Sequence, residues 1–209
     1  MRALFFSICF ILALCGLSQT YFKDGLKWIT KYGSTSTVPF STGYSAFILY
    51  SESDSDSILS MYYYDYEPDA KLLFVSYIKP EGDKIFFKEK SDPDAPWYLL
   101  YDFGMTPGDG CYIYSPTIGY PYDVPSHRYL VCKEIIPPSD DCNFERMKME
   151  VYMDDTREWK IDEGYWIKGI SSENYPYISH GFHFDGGGSE LCYVFDKDSL
   201  VYPSKIKIE

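Results

Sequence analysis

Two short segments of the chain carry residue types that bind metal ions. The first, HGFHFD, contains His180, His183 and Asp185, and imidazole and carboxylate groups are common metal ligands. On a β-strand, however, successive side chains point to opposite faces, so only His183 and Asp185 would share a face. Histidines on the surface beside a glycine-rich corner are the alternative, and the sequence favours that alternative.

The second segment, SESDSDS, has acidic residues at alternate positions, namely Glu52, Asp54 and Asp56. One face of a strand would then present three carboxylates, which are ligands for hard cations such as calcium. The glycine and the closing glutamate of an EF-hand loop are missing, and a solvated acidic edge that discourages strand aggregation explains the pattern more simply. The sequence therefore predicts neither a metal nor another cofactor.

Sequence signatures of catalysis are absent from the chain. It has no G-x-S-x-G nucleophile elbow, no H-E-x-x-H zinc motif and no P-loop. Its 31 acidic residues nevertheless supply many carboxylate pairs, so a secreted hydrolase that uses paired carboxylates stays open as an alternative. The sequence therefore favours a protein without catalytic activity but does not exclude an enzyme.

An excess of tyrosine is the feature that most favours a binding function. The segment MYYYDYEP places Tyr62, Tyr64 and Tyr66 on one face of a strand and Tyr63 on the other. A proline-broken loop, YIYSPTIGYPYDVP, adds four more: Tyr112, Tyr114, Tyr120 and Tyr122. Exposed tyrosine rings suit stacking on a sugar or gripping a protein because they combine apolar area with a polar tip. The simpler alternative is that these rings fill the core and cover the sheet.

The N-terminal residues 1–18 have the pattern of a secretory signal peptide. Arg2 gives a positive start, an apolar run follows, and the small residues Gly16 and Ser18 occupy the positions that signal peptidase accepts. A lipoprotein signal acylated at Cys15 is disfavoured because the bulky Leu14 precedes the cysteine. We therefore expect a secreted or periplasmic protein without a membrane span.

The net charge of the chain limits the classes of partner that it is expected to bind. A formal net charge of −12 argues against nucleic acid and anionic lipid, because both require clustered Lys and Arg. A glycan or a protein at the cell surface fits better.

Four cysteines follow the signal peptide: Cys111, Cys132, Cys142 and Cys192. An even number in an oxidising compartment favours disulfides, and four cysteines allow three pairings. We favour Cys132–Cys142, which would close the polar turn KEIIPPSDDC between two strands, and this leaves Cys111–Cys192. Buried free thiols are the alternative.

Apolar residues alternate with polar ones along most of the chain. In ERMKMEVYM, for example, Met147, Met149, Val151 and Met153 share one face, and charged residues share the other. Such runs, separated by breakers like KPEGDK and IPPSDD, predict about ten to twelve short strands. The expected fold is an all-β antiparallel meander that closes as a barrel or a sandwich. We expect one domain over residues 19–209, with a possible division into two lobes near 137–138.

The segment DGGGSELCYVFDKDSLVY predicts a terminal hairpin that turns at residues 196–198. The glycines at 186–188 then form a corner before its first strand, where freedom of φ is useful. A phosphate-binding loop would require a helix after the glycines, and none is predicted.

Several segments occur in a defined order: GDKIFFKE, YLLYDFGMTPGD, WIKGISS and LCYVFDKDSLVY, preceded by a G-x-x-W start at Gly25–Trp28. In that order they resemble the motifs of a Bacteroidetes-type family of small exported β proteins of unknown function. Lys168 stands where the family usually has Glu, and Ser171 where it often has Gly. The cysteine that often precedes the family's aspartate–glycine motif is absent here. The resemblance implies an exported β protein and no particular activity.

These observations predict a non-catalytic binding protein or a structural protein of the envelope. Function on β scaffolds usually lies in the loops, so the surface around Tyr112 to Tyr122 is the predicted contact site.

Overall fold

The chain forms thirteen β-strands in the computed structural model, which describes residues 22–34, 41–51, 57–65, 71, 73–89, 94–115, 126–140, 142–173 and 188–202. No helix occurs in these ranges. The strands are β1 (Leu26–Ser34), β2 (Ser41–Ser51), β3 (Leu59–Asp65), β4 (Leu73–Glu81), β5 (Lys84–Glu89), β6 (Tyr98–Asp102), β7 (Gly110–Ser115), β8 (Ser126–Ile136), β9 (Arg146–Tyr152), β10 (Lys160–Ile167), β11 (Ser171–Ser172), β12 (Gly188–Asp196) and β13 (Ser199–Tyr202). The predicted all-β class is confirmed, with one or more strands beyond the predicted number.

The strands form two antiparallel sheets. The larger has eight strands in the order β13-β12-β1-β2-β3-β4-β5-β6, and the smaller has five in the order β11-β10-β9-β8-β7. Almost every neighbour in a sheet is also the next strand in sequence, which is the predicted meander. The exception is β12, which returns from the C-terminal part of the chain to pair with β1.

Side chains alternate between a buried and a more exposed face along the strands, as the sequence predicted. Met147, Met149 and Val151 of β9 are buried, and their neighbours on the strand are partly exposed. Met153 was predicted to share the buried face, but it lies beyond the end of β9 and is 44% exposed. In β3, the ring of Tyr63 lies 5.1 Å from that of buried Phe47, and its neighbours in the strand face the other side.

Among the described residues, a hydrophobic cluster contains side chains from both sheets. Its largest fully buried members are Trp28, Trp166, Tyr101, Phe47, Phe87 and Phe103. Trp28 donates its indole N–H to the carbonyl of Ile170 at 3.2 Å, which joins β1 to the β10–β11 turn. The buried hydroxyl of Tyr101 accepts a hydrogen bond from the backbone N–H of Ser172 at 3.1 Å. Three of the segments that carry the family resemblance therefore meet in this core.

The terminal hairpin forms as predicted. Asp196 of β12 pairs with Ser199 of β13, and the turn between them contains Lys197 in the left-handed region at φ 55°. Gly188 is the first residue of β12, and the other two glycines of the predicted corner lie outside the described residues. A second turn, within WIKGISS, depends on Gly169 at φ 76°, a conformation that favours glycine.

The predicted disulfides are wrong, because Cys111, Cys132 and Cys142 are free thiols in the structure. Cys132 lies inside β8 opposite Met149, and the strand continues to Ile136 before the turn that leads to Cys142. Four residues of extended chain span about 13 Å, and a disulfide requires Cα atoms within roughly 7 Å. The turn thus begins well beyond Cys132. The other predicted bridge, from Cys111, is not formed either. Cys111 lies on β7 of the smaller sheet, and its free thiol donates to the Met105 sulfur at 3.6 Å.

We expect thiol titration of the denatured, unreduced chain to find at least three reactive groups. In the folded protein, burial raises the pKa of the Cys111 thiol to about 12, so little thiolate forms at neutral pH and its labelling is slow. The measurement compares labelling with and without denaturant, followed by peptide mass analysis. Loss of all free thiols from the denatured chain would restore the disulfide hypothesis.

Candidate functional site

Three tyrosines form a row across the outer face of the five-stranded sheet. Tyr112 of β7 pairs with Tyr129 of β8, and Tyr129 pairs with Tyr152 of β9. Directly paired residues point to the same side of a sheet, and the strand neighbours Ile113 and Leu130 are buried on the other side. We call Tyr112, Tyr129 and Tyr152 the tyrosine row.

Contacts around the row hold its rings in place. The Tyr112 ring meets the Tyr129 ring edge-on, with centroids 5.0 Å apart. The Tyr112 hydroxyl accepts a hydrogen bond from the backbone N–H of Asp155 at 3.2 Å. The guanidinium of Arg157 lies over the Tyr129 ring at 5.6 Å from its centroid. Rings held in this way lose little freedom when a ligand binds.

Gly110, at the start of β7, leaves room for the Tyr129 ring. A Cβ atom at this position would lie 2.6 Å from Cζ of Tyr129, closer than atoms of the two residues can approach. The absence of a side chain at Gly110 therefore allows the Tyr129 ring to approach β7 closely.

A cluster of charges borders the row on the same face. Glu150 is two residues from Tyr152 in β9, and its carboxylate accepts hydrogen bonds from the Tyr152 hydroxyl at 2.9 Å and from the Lys160 ammonium at 3.0 Å. Lys133 lies 3.3 Å from the same carboxylate, and Lys160 also pairs with Glu163 at 2.8 Å. We call Lys133, Glu150, Lys160 and Glu163 the Glu150 cluster.

The Glu150 cluster keeps its carboxylate ionised. The hydrogen bond from Lys160, with smaller contributions from Tyr152 and Lys133, lowers the pKa of Glu150 to about 2, although partial burial opposes this. The hydrogen bonds to Glu163 and Glu150 raise the pKa of Lys160. At any ordinary pH the cluster therefore offers a carboxylate acceptor and ammonium donors beside the aromatic rings. Ring faces next to such polar groups suit a ligand that has both apolar faces and hydroxyl groups.

Tyr112 and Tyr114, two of the four tyrosines predicted to form one contact site, have different surroundings in the structure. Tyr112 is 38% exposed and belongs to the row. Tyr114 is partly buried, with its ring 4.2 Å from that of Tyr98 beside the core, and so does not belong to the row. Tyr120 and Tyr122 lie outside the described residues.

Tyr129, Tyr152 and Glu150 were not predicted as site residues from the sequence. Each stands at an outward position of an alternating segment, RYLVCKE or MKMEVYM, and that alternation was visible in the sequence. Which outward residues meet, however, depends on the pairing of β7 with β8 and of β8 with β9, and the sequence does not display that register.

The candidate metal ligands Glu52, Asp54, Asp56, His183 and Asp185 lie outside the described residues. Within the part of the chain that the structure describes, no group of three or more His, Cys, Asp or Glu side chains is arranged to hold a metal ion. His127 is exposed, and its ring lies 5.7 Å from that of Tyr112.

An acidic cleft of about 520 Å³ lies between the β4–β5 turn and the β6–β7 connection. Its lining includes Asp83, Asp102 and Asp109, together with Lys84. Asp102 accepts a hydrogen bond from the Gly104 N–H at 3.1 Å and pairs with Lys84 at 3.4 Å. Asp109 accepts hydrogen bonds from the N–H and the hydroxyl of one residue, Thr106, and these lower its pKa.

A carboxylate-based hydrolase needs one acid whose pKa is raised, so that it carries a proton at the working pH. The pKa of Asp109 is shifted in the opposite direction. Burial raises the pKa of Glu173, but this residue lies outside the cleft, 3.8 Å from Arg146. The cleft therefore gives no specific support to the hydrolase alternative.

Comparison with known proteins gives no match to this chain among protein-family models, curated proteins or solved structures. Membership of the exported β family stays a prediction. In the described ranges there is no helix with the length and apolar character needed to cross a membrane.

Proposed function

We propose that this chain is an exported, non-catalytic binding protein that holds a neutral glycan on the tyrosine row. The observation that carries the proposal is the alignment of three tyrosines on adjacent strands beside the Glu150 cluster. At about 4.8 Å between strands, the row extends roughly 10 Å from Tyr112 to Tyr152, which is long enough to engage more than one sugar ring.

The charges of the Glu150 cluster favour an uncharged ligand. Lys133 and Lys160 are already paired with Glu150, and Lys160 is paired with Glu163 as well. Neither ammonium group is therefore left to compensate an anionic sugar, and the ionised Glu150 would repel one. Sugar hydroxyls, in contrast, can donate to the carboxylate without changing its charge.

The scaffold is part of the proposal. We propose that the two sheets face each other as an open sandwich, because they share one hydrophobic cluster. The backbone N–H of Leu191 in β12 donates to the carbonyl of Glu173 at 2.7 Å, just after β11, and so links the sheets at one side. A sandwich of this kind holds the outer faces rigidly and leaves them to solvent.

The proposal is tested with a glycan array and then by titration of the best neutral ligand into the protein lacking residues 1–18. We expect the double variant Tyr112→Ala, Tyr129→Ala to lose affinity by about tenfold or more, because buried tyrosine contacts dominate such interfaces. Tyr44→Ala is the control, since Tyr44 is 47% exposed and lies on the other sheet.

Absence of binding to any neutral glycan would overturn the proposal. Equal losses of affinity in the Tyr44 control and the double variant would overturn the site. Circular dichroism of both variants shows whether each retains the β fold, so that a folding defect is recognised as such.

A further inference from the structure

The outer face of the eight-stranded sheet carries a second aromatic surface, which differs in charge from the first. Tyr50 of β2, Ser60 of β3, Tyr77 of β4 and Lys88 of β5 are paired in sequence across four strands. In a parallel row, Lys27 of β1 pairs with Ile48 of β2, and Ile48 pairs with Tyr62 of β3. We call Lys27, Tyr50, Tyr62, Tyr77 and Lys88 the lysine–tyrosine face.

The rings of this face lie close together. Tyr50 and Tyr62 meet edge-on with centroids 5.6 Å apart, and Tyr50 is 42% exposed. Ser60, which lies opposite Tyr50 on the same side of the sheet, is only 2% exposed. Large side chains therefore leave little backbone accessible here, and a ligand would contact ring surfaces.

The lysine–tyrosine face carries two lysines that are not used in ion pairs in the described part of the chain. Within the described residues, neither Lys27 nor Lys88 has an ion-pair partner, and Lys27 lies over the Phe195 ring at 5.1 Å from its centroid. Lys79 of β4 differs from these two lysines, because it pairs with Glu81 at 2.8 Å. Two uncompensated ammonium groups on one face are notable in a chain with a net charge of −12.

We propose that the lysine–tyrosine face binds an acidic polysaccharide. β1 and β5 are four strands apart, so Lys27 and Lys88 are separated by about 19 Å across the sheet, with tyrosine rings between them. The rings would contact the sugar faces, and the two ammonium groups would pair with carboxylates or sulfates along the polymer. The net negative charge of the rest of the chain repels an acidic polymer. Electrostatic attraction therefore directs the polymer to the lysine–tyrosine face.

The position of the face in the sheet favours a polysaccharide over an acidic peptide. Peptides commonly add a strand to a sheet edge, where unpaired backbone groups supply the affinity. The strands β1 to β5 are all interior strands of the eight-stranded sheet. Recognition on this face must therefore come from side chains, and a repeating polymer with apolar ring faces and regularly spaced acid groups matches them.

This inference is independent of the glycan site on the tyrosine row, because the two surfaces lie on different sheets and are expected to select opposite ligand charge. The test uses the protein without residues 1–18 and titrates it with alginate, a polyuronate. We expect alginate to bind, and the double variant Lys27→Gln, Lys88→Gln to bind it about tenfold more weakly. We also expect the affinity to fall as salt is raised, because Lys27 and Lys88 are partly exposed and their charges are screened by salt.

The matched control is the double variant Lys23→Gln, Lys168→Gln, which removes the same charge from lysines that are paired elsewhere, with Asp196 at 2.7 Å and Glu145 at 2.8 Å. This control is expected to change alginate affinity less than twofold. The proposal is overturned if alginate does not bind, or if both double variants weaken binding equally. Polyglutamate that binds as tightly as alginate would also overturn it, since charge alone would then explain the binding and the partner would be an acidic peptide.

Discussion

Replacing Trp166 by alanine is expected to lower the free energy of unfolding by about 3–5 kcal/mol, the usual cost of removing a large buried aromatic side chain. Trp166 is 1% exposed, and its ring meets those of Tyr101 and Phe103 edge-on at 5.1 and 6.0 Å. Removing it would leave a cavity at the place where β10 contacts the larger sheet. Denaturant unfolding of the protein without residues 1–18 measures the change.

Trp159→Ala is the matched control, because the same side chain is 74% exposed there, just before β10. Its effect on the free energy of unfolding is expected to stay within about 0.5 kcal/mol. Similar losses at the two positions would contradict the placement of Trp166 in the core. If Trp166→Ala does not fold at all, Trp166→Phe, with an expected loss of about 1–3 kcal/mol, makes the same comparison.

The second large effect is expected from Gly110→Ala. The new Cβ would lie 2.6 Å from Cζ of Tyr129, so the ring must move away from β7. We expect a loss of about 1–3 kcal/mol in the free energy of unfolding from this overpacking. We also expect a fall in neutral-glycan affinity comparable to that of the double tyrosine variant, because the tyrosine row would lose its alignment.

Gly164→Ala provides the control within the same sheet. Gly164 lies in β10, and a Cβ there would meet no other heavy atom within 4 Å. Since alanine also restricts the unfolded chain more than glycine, this variant is expected to be as stable as the parent protein or slightly more stable. If Gly110→Ala is as stable as Gly164→Ala, the Tyr129 ring does not lie where the structure places it.

The fold class was predictable because burial of one sheet face imposes alternation on the sequence itself. β9 illustrates this, since each buried methionine stands two residues from the next. The terminal hairpin was predictable for a similar local reason, with polar residues separating two apolar runs. Met153 was placed wrongly because alternation continues past the residue where pairing stops, and only the partner strand determines that end.

The site and the cysteines were harder to predict because both depend on contacts between distant segments. Tyr112 and Tyr129 are brought together by the register of β7 with β8, across a connection that lies outside the described residues. Cys132 and Cys142 are close in sequence, but the length of β8 beyond Cys132 moves the turn away from it. Short separation along the chain is therefore a poor guide to pairing when an extended strand intervenes.

The position of β12 beside β1 has a consequence for the order in which the protein acquires its structure. Leu26 pairs with Asp196, so the first described strand is bordered on one side by a segment that is synthesised 170 residues later. Until that segment is synthesised, β1 has an unpaired edge. Trp28 depends on a separate late segment, because its indole donates to the carbonyl of Ile170, 142 residues further along the chain. Contacts this distant in sequence slow folding and prolong the time during which an open strand can associate with other chains. The larger sheet is therefore protected from aggregation only after the C-terminal strands have been synthesised and have paired with β1.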